Sequence, residues 1–136
     1  SVLLGSTFIV GGQIKDQPPE LYLVYPQGNY IRPADSKPYL VIGEVKYGKP
    51  ILDRVITPKV SIGDASRCAL ISMDSTLKSD LTVGPPIDFA VIKKDEIKIA
   101  SLKCLNMNDP EFSKVCNQWS QGIFKIFDSF QRFDWE

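Results

Sequence analysis

Tyr47-Gly48-Lys49-Pro50-Ile51-Leu52-Asp53-Arg54-Val55-Ile56 marks the point at which the hydrophobic period of the chain changes. Ile51, Leu52, Val55 and Ile56 stand at helical spacing, and Pro50 lies near a helix start, where a missing N–H is tolerated. Upstream of Tyr47 the apolar residues come in short β-branched and aromatic runs. Downstream they recur at steps of three and four before strands resume. That change of period argues for an α+β chain.

Thr57-Pro58 closes the first helix, because the residue before a proline is biased out of the helical region. Ser61-x-x-Asp64 has the form of a capping box, and Ile62, Ala65, Ala69, Met73 and Leu77 fall on one face, so a second helix is expected over about residues 61 to 77. Ser79 to Pro86 (SDLTVGPP) is built from turn formers and reads as a loop. Ile87 to Lys93 is expected as a strand, Asp95-Glu96 as a tight turn, and Ile97 to Leu102 as the hairpin partner. Asp109 as N-cap, Pro110 at the first helical position and Glu111 in the first turn open the last helix. Phe112, Val115, Cys116, Trp119, Ile123, Ile126 and Phe130 give that helix an amphipathic face of roughly five turns.

Working back from Tyr47, Tyr39-Leu40-Val41-Ile42 is an apolar run ending at Gly43-Glu44, and Pro33 to Pro38 is a loop. Thr7 to Ile14 (TFIVGGQI) favours a strand, with Gly11-Gly12 marking a bulge or a close backbone approach. Glu20 to Tyr25 and Tyr30 to Arg32 are two further strands, joined by the turn Pro26-Gln27-Gly28-Asn29. The expected order is three strands as a meander, two helices, two strands and a helix, with no internal repeat.

The chain has 136 residues, 43% of them hydrophobic and 24% charged, which suits one globular domain over 1–136. Sixteen basic residues balance sixteen acidic ones, and the basic excess of a nucleic-acid binder is missing. No apolar stretch reaches the ~18 residues of a membrane span. Ser1-Val2-Leu3-Leu4-Gly5 lacks the basic region and cleavage site of a signal peptide. Cys68, Cys104 and Cys116 are an odd set without C-x-x-C spacing, so buried free thiols and a cytoplasmic location are expected. Histidine is absent from the sequence, which excludes a Ser-His-Asp triad and any His-based metal site within these residues. No cofactor and no metal are expected.

Gly11-Gly12, Pro19-Glu20-Leu21-Tyr22 and Gly28 together resemble the central strands of proteasome β-type subunits. Three longer stretches are similar to one bacterial branch of that family, the ancestral β-subunit type called Anbu: Tyr25 to Ile31 (YPQGNYI), Ile42 to Arg54 (IGEVKYGKPILDR) and Ser79 to Asp88 (SDLTVGPPID). The resemblance implies the C-terminal part of a four-layer αββα sandwich of the N-terminal-nucleophile hydrolases. In that arrangement two helices lie on one face and the terminal helix on the other.

The resemblance also implies a chemistry. Family members use an N-terminal threonine or serine whose own α-amine is the base, workable because such an amine has a pKa of about 7.7–8.0. The N-terminal half, which carries the nucleophile with a lysine and an aspartate, is expected to lie outside these residues, so that no catalytic nucleophile is present and the chain alone is inactive. Ser1 is a terminal serine, but it precedes the wrong strand for that role.

What this half contributes is support for the terminal amine. Aligned without gaps, Ser79 stands where the family has an aspartate and Thr82 where it has a serine; Asp80 supplies a carboxylate if the loop shifts register. Glu44 replaces a hydroxyl in a second family loop and could bind a terminal amine. All four are equally at home as turn, capping or solvated residues. Lys46, Lys49, Asp53 and Arg54 form a mixed-charge patch, either an interface or a solvated face. The partners expected are the N-terminal half, identical subunits in a ring or helical oligomer, and a peptide substrate. A non-catalytic, self-assembling scaffold subunit is the alternative.

Overall fold

The computed structural model describes residues 5–96 and 98–136. Ser1 and Ile97 therefore lie outside the described residues. The meander forms a regular antiparallel sheet of β1 (Phe8–Gly12), β2 (Glu20–Val24) and β3 (Tyr30–Ile31) in the order β1-β2-β3. Its register passes through Gly11↔Leu21 and Gly12↔Glu20 without interruption, so the glycine pair makes no bulge. A side chain at Gly11 would instead crowd Leu21 Cδ1 at 3.0 Å. The ladder irregularity falls elsewhere, between Val91 and Ile92.

α1 (Lys49–Val55) and α2 (Ile62–Ser79) follow at the expected positions. Ser61 Oγ accepts from Asp64 N at 3.0 Å, which satisfies one of the orphan donors at the start of α2. The segment before α1 is pinned to it by one carboxylate: Asp53 accepts from Tyr39 Oη at 2.5 Å and from Lys49 Nζ at 2.6 Å, while Lys37 donates to the Asp53 carbonyl. The mixed-charge patch is thus partly an internal brace. Leu52, Ile56 and Cys68 form a small core there, with Tyr39, Val41 and Val60 against it.

β4 (Ile87–Ile92) and β5 (Ile99–Leu105) make a second antiparallel sheet. β5 runs three residues further than its apolar pattern indicates, because pairing with β4 carries Lys103 and Cys104 into the ladder and brings Leu105 opposite Ile87. Cys104 is consequently exposed, unlike the buried Cys68 and Cys116. Ile87, Phe89 and Val91 turn inward and Asp88, Ala90 and Ile92 outward, the alternation of a half-buried strand. Gln13 ties the two sheets at a corner through paired 2.7 Å hydrogen bonds with the Asp95 backbone N and side chain.

α3 (Pro110–Asp128) opens on Asp109, whose carboxylate accepts from the backbone N of Glu111 and Phe112. Phe112, Cys116 and Leu105 form the second core, packed by Leu70 and Leu77 of α2 and by Ile87 and Phe89 of β4. α3 lies alongside α2. This corrects the expectation that the terminal helix covers the opposite face: all three helices belong to one layer, because α2 presents Leu70 and Leu77 to α3 while its other flank meets α1.

Among the described residues neither buried cluster includes a residue of the β1–β3 sheet. All five residues of β1 are exposed, and only Leu23 of that sheet reaches the buried class. The chain exposes 10745 Å², against roughly 7,100 Å² for a compact monomer of this mass. The described residues therefore form two helix-backed cores with an uncovered sheet beside them.

Candidate functional site

Gly48 sets the geometry of the site. It is buried at the junction of α1 and α2, where an added Cβ would stand 2.2 Å from Ser72 Oγ and 2.9 Å from the Ser72 carbonyl. Only a glycine lets the chain approach α2 this closely. The turn just upstream, with Gly43 at φ +82°, is thereby held over the flank of α2. Between the Leu40–Glu44 segment and α2 lies a cleft of about 600 Å³, lined also by Leu52, Met73, Thr76 and, from the loop after α2, Val83. The apolar face Ile62, Ala65, Ala69, Met73 and Leu77 divides accordingly. Ala65, Ala69 and Met73 line this open cleft, whereas the most buried residues of α2 are Cys68, Asp74 and Thr76.

Glu44 is half-buried at the rim, its Oε1 accepting from Lys46 N at 2.7 Å. Asp80 is the C-cap of α2 and donates its N–H to the Thr76 carbonyl. Its Oδ1 accepts from Thr82 N at 2.8 Å and from Thr82 Oγ1 at 2.7 Å. The Thr82 hydroxyl and N–H hold the Asp80 carboxyl below the usual carboxylate range, and the charge of Lys46 adds to the effect. Ser79, the last residue of α2, is exposed and makes no side-chain hydrogen bond among the described residues.

Two loops that lie far apart in sequence therefore share one cleft, the second of them through Val83 alone, since Asp80 and Thr82 stand beside the cleft and do not line it. Asp80 and Thr82 form a closed pair, with Lys46 close enough to act on the carboxylate. Glu44 lines the cleft but makes no hydrogen bond to either of them, and Ser79 stands apart. Among the described residues no three His, Cys, Asp or Glu side chains converge as a metal site would require.

Lys46 and Gly48 gained no role at this site from periodicity. Their signal is the short interval between the Gly43-Glu44 turn and the start of α1. Asp74 is likewise unmarked: it is 1% exposed between α2 and α3, with Oδ2 paired to Lys78 at 2.7 Å and Oδ1 without a hydrogen-bond partner among the described residues. Its i,i+4 spacing to Lys78 is the visible trace of that pair. Burial first, and then the neighbouring Asp74 carboxylate, push the Cys116 thiol up to about 11.

The family model described as proteasome subunit matches residues 3–92. Among solved structures, the chain is similar to Anbu from Hyphomicrobium sp. strain MC1, at 42% identity and a TM-score of 0.89 over 94% of this chain and 55% of that one. It is similar to Anbu from Yersinia bercovieri at 38% identity and a TM-score of 0.92, over 96% of this chain and 56% of that one. The Anbu complex of Pseudomonas aeruginosa, described as a helical assembly, matches at 42% identity and 0.89, over 96% of this chain and 54% of that one. The chain spans a little over half the length of these relatives. No curated protein sequence matches it.

Proposed function

This chain belongs to the proteasome-subunit family and, within it, to the Anbu group, and from that premise we propose that it forms the C-terminal half of a cytoplasmic, proteasome-like peptidase subunit. The other half supplies a threonine or serine as its first residue, together with the strands that cover the β1–β3 sheet. The hydroxyl of that residue attacks a peptide carbonyl and its own amine takes the proton; the peptide C–N bond then breaks, the departing amine receives that proton, and water hydrolyses the remaining acyl-enzyme ester to free the acid and regenerate the hydroxyl. The present half supports the amine: Asp80 contributes negative charge, Thr82 holds that carboxylate in place, and Glu44 lines the cleft, while Ser79, exposed at the end of α2, would join them only once the other half is in place. Identical subunits then assemble, as the Pseudomonas relative does.

The observation that carries this reading is the meeting of the Gly43-Glu44 turn and the post-α2 loop at one cleft. The uncovered sheet supports the division into halves. A second reading, a scaffold subunit without catalysis, is favoured by the Asp80–Thr82 pair itself, since its hydrogen bonds satisfy one carboxylate oxygen inside the loop.

The test is peptide hydrolysis by the full-length protein, with a hydroxyl-directed inhibitor to trap the first residue. Asp80→Asn and Thr82→Val should lower kcat on the order of 100-fold through misplacement of the reacting amine, with the assembly intact. An untrapped terminus and no hydrolysis, in a protein that still assembles, would establish the scaffold.

A further inference from the structure

Asp74 is the one charged residue in the buried class among the described residues. Its Oδ2 accepts from Lys78 Nζ at 2.7 Å, while Oδ1, equally shielded from water, has no hydrogen-bond partner there. The Cys116 thiol of α3 lies beside this carboxylate. Burial first, and then Asp74, raise that thiol to about 11, so at neutral pH it adds no second negative charge. A buried ion pair is a costly way to fill a helix seam. Apolar residues of similar volume often do so with no loss of stability or with a gain, and Leu70 and Leu77 already pack the core beside it. The pair at Asp74 therefore points to geometry.

That geometry concerns the end of α2. Lys78 reaches from Asp74 across to Ser120 Oγ at 3.4 Å, the one side-chain hydrogen bond between α2 and α3 among the described residues. Ser120 is half-buried and every residue from Ile123 onward is exposed, so this bond stands close to where α3 goes bare. Ser79 follows Lys78 directly, and Asp80 caps the helix. Past the cap the loop is held by its own atoms. Asp80 donates its N–H to the Thr76 carbonyl, Thr82 donates to Asp80 Oδ1, and Val83 donates its N–H to the Asp80 carbonyl at 3.2 Å. Among the described residues no hydrogen bond ties this loop to an element other than α2. The loop goes where the last turn of α2 goes. Lys78 can swing away only by leaving a buried anion without its cation, which is strongly unfavourable. Its ammonium group therefore stays on the α3 side and sets the rotation of that turn.

We propose that Asp74 and Lys78 are positioning residues, a clamp through which α3 fixes the last turn of α2 and so places the Asp80–Thr82 pair. The inference rests on the role proposed above for that pair and adds what holds it. Neither residue lines the cleft, so both act through Asp80.

The test uses the full-length protein. Asp74→Asn with Lys78→Met removes both charges at nearly constant volume and leaves no lone charge buried. Lys78→Arg keeps the pair. Hydrogen exchange, read by mass spectrometry on peptides covering residues 79–84 and residues 62–69, reports the end and the start of α2 separately. In the double variant, exchange over residues 79–84 should quicken about 10-fold with residues 62–69 unchanged, as for a local opening. The kcat for peptide hydrolysis should fall about 10-fold with KM unchanged, because the reacting amine is misplaced while the cleft is not. Lys78→Arg should leave both at the parent value.

Unchanged exchange over residues 79–84 overturns the clamp, whatever the activity. Exchange that quickens equally at both ends of α2 also overturns it, since the pair is then only part of the core. A loosened loop with an unchanged kcat in an active parent overturns the positioning role. A loosened loop in a parent that hydrolyses nothing supports the clamp and sinks the peptidase reading instead. If the double variant does not fold, Ser120→Ala, which removes only the α3 end of the clamp, carries the same comparison.

Discussion

Gly48 shows how one residue carries a site it does not itself enter. Its hydrogen is the only group that fits against Ser72, and the cleft between Glu44 and α2 exists at its present width because of that contact. Gly48→Ala should push α1 off α2 and destabilise the chain by about 1–3 kcal/mol, the usual penalty for an overpacked contact. The measurement is the denaturant midpoint, and an unchanged midpoint would mean that α1 and α2 are not in contact as described. In the sequence this glycine reads only as part of a turn before a helix. Its burial follows from what α2 places opposite, 24 residues later, and no local pattern encodes that.

At the scale of the element, helix starts were legible and strand lengths were not. Ser61 and Asp109 act as the N-caps that their side chains suggest, because capping is settled by atoms within three residues of one another. β5 slides toward Leu105 because its partner strand and Phe112 decide where it ends.

The brace on α1 has a pH dependence of defined sign. Lys49 first, and then the Tyr39 hydroxyl, depress the Asp53 carboxyl below its ordinary 3.8. A group with a lowered folded pKa stabilises above its unfolded pKa and loses that contribution as pH falls through the folded value. Asp53→Asn should therefore be less stable than the parent at neutral pH and converge with it in acid below 3.8. Thermal midpoints across pH 2 to 7 would check this, and a constant gap would show that Asp53 is not ionised in the brace.

For the whole molecule, surface is the governing quantity. The chain exposes about 3,600 Å² more total surface than a compact monomer of this mass, and Phe8, Val10, Ile31 and Ile92 are among the apolar residues that contribute to it. Residues 1–136 produced alone should bind a hydrophobic dye strongly and elute from gel filtration at a mass that rises with concentration. Production together with the remaining half of the domain should suppress both. A non-associating monomer that ignores the dye would show that the sheet needs no cover.

The sequence by itself determined the number, type and order of the elements, together with the family, because periodicity, caps and uninterrupted motifs are local properties. It marked Glu44, Asp80 and Thr82, but as separate loop residues. Only the tertiary structure decided that their two loops border one cleft, that α3 shares a layer with α2, and that the end of α3 is left bare. Those outcomes depend on distances between residues far apart in the chain, set by Gly48 against Ser72 and by Phe112 beneath β4 and β5, and such distances exist only once the chain has packed.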